Sequence, residues 1–317
     1  MNAIDRLIEQ IKKKNNSTVM GLDPRIESVP EYIKNEAYKK YGKNIKGAAE
    51  ALLEYNIKLI DATADLIPAV KPQIAFYELL GEEGFRIFRE TCNYAKSKGL
   101  LVIGDVKRGD IGSTAEAYSS AYLGRIGAEL GQQAVFDIDF VTVNPYLGED
   151  SIKPFLEDCK KYGKGLFILV KTSNKSSGDM QDLLTFGGKF LYEHAAGLVD
   201  KWSQELIGEN GYSAVGAVVG ATYPDQVTSL REILKKSYIL VPGYGAQGGT
   251  AIDAAKAFKM DGLGAIVNAS RSIITAYKSE RWKNTYSEER FDEAARAEVI
   301  RMRDELNKEI ARKIARH

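Results

Sequence analysis

Short apolar runs alternate with amphipathic stretches along most of the chain. Eight runs bounded by polar or glycine residues each predict a strand, at residues 18–22, 69–74, 100–106, 140–143, 165–171, 214–220, 238–241 and 264–268. Between them, apolar residues recur at three- and four-residue steps, which predicts helices over 48–66, 85–97, 115–130, 190–206 and 250–259. Continuous apolar strands that alternate with helices are typical of parallel strands covered on both faces.

Eight such units predict an α/β protein of the (β/α)8 TIM-barrel type, a fold that usually takes about 250 residues. The chain has 317, and we expect the surplus in an insertion at 24–46, a loop at 172–188 and a long C-terminal helix on one domain spanning 1–317. The terminal helix carries an apolar stripe that we expect to pack on the barrel exterior rather than on a partner helix: Phe291, Ala295, Val299, Met302, Leu306, Ile310 and Ile314.

The composition narrows the class of protein. Hydrophobic residues make up 44% and charged residues 27%, and the net charge is +1, which gives no case for nucleic acid or an anionic membrane surface. Residues 1–14 have the pattern of an amphipathic helix rather than a signal peptide, and no run approaches the ~20 apolar residues of a membrane span. With only two cysteines, a cytoplasmic location is the default expectation. Two histidines argue against Ser-His-Asp chemistry and a histidine-based zinc site.

Charged residues concentrate where the predicted strands end. The third strand leads into Gly104-Asp-Val-Lys-Arg-Gly-Asp110, and residues two apart in a strand share a face, so Asp105 and Lys107 should point together. Asp110 would return from the loop beyond. Flanking carboxylates would keep Lys107 protonated and make it a proton donor, whereas a generic motif of this kind more often forms a surface ion pair. Active sites of TIM barrels lie at these strand ends, which favours the chemical interpretation.

A glycine-rich loop at 241–249 follows the seventh strand and contains a literal Gly-x-Gly-x-x-Gly. That fingerprint alone suggests a dinucleotide site, but an acidic residue is then expected after the next strand, where this chain has Arg271. Glycine backbone N–H groups and a cationic side chain suit a phosphate. A phosphomonoester site is therefore favoured over a dinucleotide site or a purely structural turn.

Seven segments together resemble orotidine 5'-phosphate decarboxylase, in its longer, largely bacterial (type 2) subgroup. They follow one another from the first strand to the eighth and span roughly residues 18–275: 21–25, 70–78, 104–114, 142–148, 170–174, 242–249 and 268–271. The central segment is highly specific, and the ordered set is more so.

The resemblance implies cofactor-free decarboxylation of orotidine 5'-phosphate to uridine 5'-phosphate in pyrimidine biosynthesis, with no metal. It gives catalytic roles to Lys107 as the donor of a proton to C6, and to Asp105, Asp110 and Lys71. It implies a homodimer with shared sites, in which Asp110 and Thr114 reach the neighbouring subunit. The remaining residues that it implies in substrate binding are Asp23, Thr172, Ser173, Gly245, Gln247, Gly248 and Arg271. The loop at 172–188 is a candidate lid or a plain surface loop.

Three alternatives remain to be weighed. A magnesium-dependent sugar-phosphate decarboxylase or lyase of the same superfamily would need a further acidic ligand, but the second and fourth strands end in Lys71-Pro-Gln and Asn144-Pro-Tyr. A Schiff-base aldolase using Lys107 or Lys171 needs a neutral amine, which neighbouring aspartates disfavour. A non-catalytic binding barrel has no evident need for the charged array.

Overall fold

The strands of the computed structural model, which describes residues 1–245 and 248–316, close into a parallel barrel in chain order. Pairing of Thr18 with Val267 joins the first strand to the last. Within the described residues the strands are β1 (Thr18–Leu22), β2 (Ala69–Pro72), β3 (Leu101–Arg108), β4 (Phe140–Val143), β5 (Gly165–Lys171), β6 (Ser213–Val219), β7 (Ser237–Val241) and β8 (Ala265–Ala269). The predicted (β/α)8 barrel is confirmed, with every strand within two residues of its predicted bounds.

Most of the helices connect successive strands and form the outer layer of the barrel, whereas the first helix precedes β1 and the last two follow β8. In chain order they are α1 (Ala3–Lys14), α2 (Glu31–Tyr41), α3 (Ile45–Thr63), α4 (Ala75–Glu78), α5 (Gly81–Ser97), α6 (Gly112–Tyr122), α7 (Glu149–Tyr162), α8 (Gly178–Gln181), α9 (Leu191–Ser203), α10 (Pro224–Ile233), α11 (Ala251–Ala255), α12 (Arg271–Ile274) and α13 (Phe291–Ala315). None of the helices in this described part of the chain has the length and apolar composition needed to cross a bilayer.

Four of the five predicted helices end earlier than expected: α3 and α9 by three residues, and two others by more. The helix predicted at 115–130 stops at Tyr122, and a left-handed Gly127 (φ 61°) then separates it from a single 3-10 turn. Glycine favours this backbone region because it has no Cβ, so it interrupts a pattern that apolar spacing alone would continue. The helix predicted at 250–259 ends at Ala255. The insertion at 24–46 contains α2, which packs on α3.

The N-terminal helix closes the bottom of the barrel. Ile4, Leu7 and Ile8 of α1 are buried in the same cluster as inward-facing strand residues such as Phe140 and Phe167. Inward-facing side chains therefore fill the lower barrel as a packed core, and the cavity described below lies toward the carboxyl ends of the strands.

The C-terminal helix packs on the outside of the barrel, as predicted. It contacts α3, α11 and α12, and the fully buried Phe291 stacks on Tyr55 with ring centroids 4.9 Å apart. The buried stripe continues to Ile310, but Ile314 is 38% exposed. The stripe is therefore buried as predicted as far as Ile310, and its last member, Ile314, is only partly covered.

Candidate active site

A cavity of about 430 Å³ opens at the carboxyl ends of the strands. Its lining is polar on the side of β2, β3 and β4, where Lys71, Asp105 and Thr142 contribute. On the side of β5, β6 and β7 it is apolar, with Leu169, Val218 and Leu240. A ligand in this cavity would meet charge on one side and hydrocarbon on the other, which suits a flat, partly polar ring.

One carboxylate at the cavity holds two ammonium groups. Asp105 Oδ2 lies 2.6 Å from Lys71 Nζ, and Asp105 Oδ1 lies 2.5 Å from Lys107 Nζ. Asp105 and Lys71 are buried, whereas the Lys107 side chain is 46% exposed and so can meet a ligand. The sequence led us to expect a lysine between two carboxylates. Within the described chain the array is instead Lys–Asp–Lys, because the second anion, Asp110, turns away.

The groups of this array shift one another's pKa values in the direction that keeps them charged. Burial raises the pKa of Asp105, but the attraction of Lys71 and Lys107 outweighs it and holds that pKa well below its usual range. Burial lowers the pKa of Lys71, yet Asp105 and Asp23 raise it above the ordinary lysine value. The Asp105 carboxylate and the Lys71 ammonium therefore keep their charges at neutral pH, so Lys107 is held beside a permanent anion.

Thr142 supports this array from the neighbouring strand. Its Oγ1 accepts hydrogen bonds from the backbone N–H groups of Val106 and Lys107, both at 3.0 Å, and donates one to Asp105 Oδ1 at 3.0 Å. Lys107 has a left-handed backbone (φ 45°), and the pairing of β3 with β4 shifts register between Gly104 and Arg108. Such a conformation is costly outside glycine and persists where neighbours hold it. Thr142 was not among the predicted site residues, although it begins the segment 142–148.

Two buried oxygens at the cavity have no hydrogen-bond partner among the described residues: Asp23 Oδ1 and Asn268 Oδ1. A buried acceptor of this kind is costly to leave unmatched, so each is suited to a donor on a ligand. Asp23 was predicted. Asn268, inside the matched segment 268–271, was not, because an asparagine at the end of a strand gives no distinctive signal by itself.

Thr172 and Ser173 line the cavity after β5, as predicted. The Thr172 hydroxyl is already engaged, since it donates to Asn174 Oδ1 at 2.6 Å and accepts from Gln181 Nε2 at 2.8 Å. The predicted loop 172–188 divides into two parts: its first part, through α8, is tied back to β5, whereas Phe186 beyond it is fully exposed.

The predicted phosphate end contains Gly243 and Arg271, which line the cavity. The predicted glycines Gly245 and Gly248 have left-handed backbones (φ 72° and 92°) that only glycine adopts readily, and Gly245 N–H donates to the Gly249 carbonyl. Arg271 is exposed at the start of α12. The predicted residue Gln247 lies outside the described residues.

Four of the predicted residues in the described chain do not line the cavity: Gly245 and Gly248 of the glycine-rich loop, and Asp110 and Thr114 beyond β3. Asp110 Oδ1 accepts a hydrogen bond from its neighbour Ile111 N–H at 2.8 Å, and Thr114 is exposed on the first turn of α6. Neither is among the residues that line the cavity.

The fold and the site define the class: a TIM-barrel enzyme with a lysine–aspartate–lysine array in the mouth of the barrel. The chain belongs to the Orotidine 5'-phosphate decarboxylase / HUMPS family, whose model matches residues 19–283. The family expected from the sequence is thereby confirmed.

Individual relatives agree with this assignment. An orotidine 5'-phosphate decarboxylase of Caldicellulosiruptor saccharolyticus is 47% identical over 279 residues, 88% of this chain and 91% of the relative. One from Rhodopirellula baltica is 42% identical over 306 residues, 96% of this chain and 99% of the relative. The solved structure of Leishmania donovani OMP decarboxylase is 29% identical with a TM-score of 0.69, covering 96% of this chain and all (100%) of that one.

Proposed function

We propose that this chain catalyses the decarboxylation of orotidine 5'-phosphate to uridine 5'-phosphate in pyrimidine biosynthesis, without a cofactor, and that Lys107 protonates C6. The family and the relatives bear out the reaction, and they do not favour the magnesium-dependent alternative. The observation that carries the proposal for the residues is the Lys71–Asp105–Lys107 array at the cavity.

The chemistry follows from where charge develops. When the bond between C6 and the carboxylate breaks, CO₂ leaves and its electron pair stays at C6, which has no adjacent electron sink. The Lys107 ammonium offsets that negative charge and then donates a proton from Nζ to C6. Because the side chain is 46% exposed, solvent can return the proton to Lys107 after turnover.

Asp105 is the positioning partner of both lysines in this proposal. Its two oxygens hold the two ammonium groups in fixed directions, and Thr142 restrains one of those oxygens. A pre-arranged charge of this kind needs little reorganisation during the reaction. Asp23 and Lys71 would then bind the ribose hydroxyl groups, a role that the partnerless Asp23 Oδ1 supports.

Residues predicted from the sequence would bind the pyrimidine and the phosphate of the substrate. Ser173, together with Thr172, would read the edge of the pyrimidine, beside the apolar side of the cavity. Gly245, Gln247, Gly248 and Arg271 would hold the phosphate, which a cation and glycine N–H groups suit. Binding energy from the phosphate can contribute to catalysis at the distant C6.

We further propose a homodimer with shared sites. Asp110 and Thr114 lie outside the cavity of their own chain, which supports a role across an interface. Large apolar side chains are exposed on the loops that follow β2, β3 and β4, as an interface would require: Leu79 (79%), Ile111 (56%), Tyr146 (74%) and Leu147 (47%).

Shared sites can be tested by mixing two inactive variants. A dimer of one Lys107→Ala chain and one Asp110→Ala chain has one complete site, because the intact Lys107 meets the intact Asp110 of its neighbour. Random reassociation makes half of the dimers mixed, each with one of two sites, so about one quarter of wild-type activity should return. No recovery despite mixed dimers in native mass spectrometry would contradict shared sites.

The organisation of the chain and its location complete the proposal. We propose one domain over 1–317, since a single core cluster runs from Met20 to Ile310, and this predicts one cooperative unfolding transition in urea. We also propose a cytoplasmic protein, because Cys92 and Cys159 are both buried free thiols, which suits a reducing compartment. Cell fractionation with an antibody would test the location.

The reaction itself is tested with the purified protein after incubation with EDTA and desalting. Consumption of orotidine 5'-phosphate, followed by the change in ultraviolet absorbance as the pyrimidine loses its carboxylate, should proceed at the same rate with and without added Mg²⁺. Absence of turnover, or turnover only when Mg²⁺ is restored, would contradict the proposal and favour the metal-dependent alternative.

A further inference from the structure

A fully buried lysine stands at the end of β5, next to the residues proposed to read the pyrimidine. The Lys171 ammonium pairs with Asp182 Oδ1 at 2.7 Å and lies over the ring of Tyr223, 4.6 Å from its centroid. Asp182 comes from the loop that follows, so the ion pair closes that loop onto the strand. The mechanism proposed above makes no use of Lys171.

The residue next to Asp182 binds Thr172 at two points. Gln181 Oε1 accepts from Thr172 N–H at 2.9 Å, and Gln181 Nε2 donates to Thr172 Oγ1 at 2.8 Å. Tyr223, whose ring meets the Lys171 ammonium, donates its hydroxyl proton to the Asn174 carbonyl at 3.2 Å. Lys171 is therefore connected to the backbone on both sides of Ser173.

Burying an ammonium costs free energy unless a partner offsets it, and an apolar side chain would fill the same space without that cost. The charge makes the contact directional, because the Lys171 ammonium holds the Asp182 carboxylate, and with it the neighbouring Gln181, at one position relative to β5. The cavity-lining segment Thr172–Ser173 lies between these fixed points. Its hydrogen-bonding groups are thus oriented before a ligand arrives, and preorganisation of this kind improves affinity.

We propose that the buried Lys171, through its ion pair with the partly exposed Asp182, is a positioning residue that orients Thr172 and Ser173 for recognition of the pyrimidine ring. This inference rests on the proposed function and deepens it. It assigns different residues to the two parts of the ligand: the Lys171–Asp182 pair supports binding of the base, whereas Arg271 and the glycine-rich loop would bind the phosphate.

The test compares two ligands on the Asp182→Asn variant by isothermal titration calorimetry. Uridine 5'-phosphate carries both base and phosphate, and ribose 5-phosphate lacks the base. We expect about tenfold weaker binding of uridine 5'-phosphate, the loss of roughly one hydrogen bond, with ribose 5-phosphate changed by less than about twofold. Because general loosening of the barrel would weaken both ligands alike, equal losses, or no loss, would overturn the proposal.

The double variant Lys171→Met, Asp182→Asn separates positioning from stability. It leaves no buried unpaired charge, so its urea midpoint should lie closer to wild type than that of Asp182→Asn, while uridine 5'-phosphate still binds about tenfold more weakly. Full recovery of that affinity in the double variant would contradict a positioning role. If the wild-type protein binds neither uridine 5'-phosphate nor orotidine 5'-phosphate, the proposed function fails instead, which is a different result.

Discussion

Thr142→Val removes one hydroxyl and nearly nothing else, and it tests whether the neighbouring strand holds Lys107 in place. The variant loses three hydrogen bonds, to Val106 N–H, to Lys107 N–H and to the Asp105 carboxylate, each at 3.0 Å. The bond to Val106 N–H is buried, so this donor would stay unpaired, whereas the bond to Lys107 N–H is only partly buried. We therefore expect a loss of about 2–4 kcal/mol in the free energy of unfolding.

The activity should fall for a separate reason. The left-handed backbone of Lys107 (φ 45°) costs about 1 kcal/mol or more and is maintained by these bonds. When they are lost, the ammonium is no longer fixed over C6, and misplacement on this scale lowers kcat/KM by about 10- to 100-fold. Steady-state kinetics with orotidine 5'-phosphate and urea unfolding measure the two effects on the same preparations.

Thr142→Ser is the matched control, because it keeps the hydroxyl and loses only a methyl group. It should retain kcat/KM within about threefold of wild type, since its Oγ can still accept from both N–H groups. A folded Thr142→Val protein with the kcat/KM of the wild type would refute the account of how Lys107 is positioned.

Two further predictions concern stability. Phe291→Ala removes a fully buried ring on α13 and should lower the free energy of unfolding by about 3–5 kcal/mol. Ile314→Ala, at a position that is 38% exposed, should lower it by less than about 1 kcal/mol. Similar urea midpoints for the two variants would contradict the packing of α13 described above. Burial raises the pKa of Asp137, but its hydrogen bonds with Lys164 and Lys96 outweigh burial and hold that pKa well below its usual range. A carboxylate whose pKa is lowered by folding stabilises the fold at pH values above its pKa in the unfolded chain. That contribution is lost as the pH falls toward its lower pKa in the folded chain. Asp137→Asn should therefore be less stable than wild type at pH 7, and the difference in stability should be smaller below about pH 3.8. Urea midpoints that differ equally at pH 7 and pH 3 would contradict this.

The sequence predicts the barrel well because its strands are continuous apolar runs. Where such runs alternate with helices, they are typical of parallel strands that are buried on both faces. It also placed Asp105, Lys107, Lys71 and Asp23 at one cavity, since the carboxyl ends of parallel strands meet at the same edge. These predictions depend only on chain order and strand direction.

Other features depend on contacts between distant segments. The rule that residues two apart share a face does not reveal the register shift that turns Lys107 into a left-handed backbone, nor the Thr142 hydroxyl that maintains it. Asn268 became notable only when the fold buried its oxygen without a partner. Asp110 faces away from its own cavity, a fact that no pattern of spacing contains.

Kinetic comparison of Lys107→Ala with wild type, supported by calorimetry with uridine 5'-phosphate, shows whether Lys107 supplies the proton. Loss of both the proton donor and the charge opposite C6 should lower kcat by at least about 10⁴-fold. Binding of uridine 5'-phosphate should persist, because the groups for phosphate, ribose and base remain. The control Lys43→Ala, at an exposed lysine in the insertion, should match wild type in both measurements. Turnover by Lys107→Ala within tenfold of wild type would contradict the claim that this lysine supplies the proton.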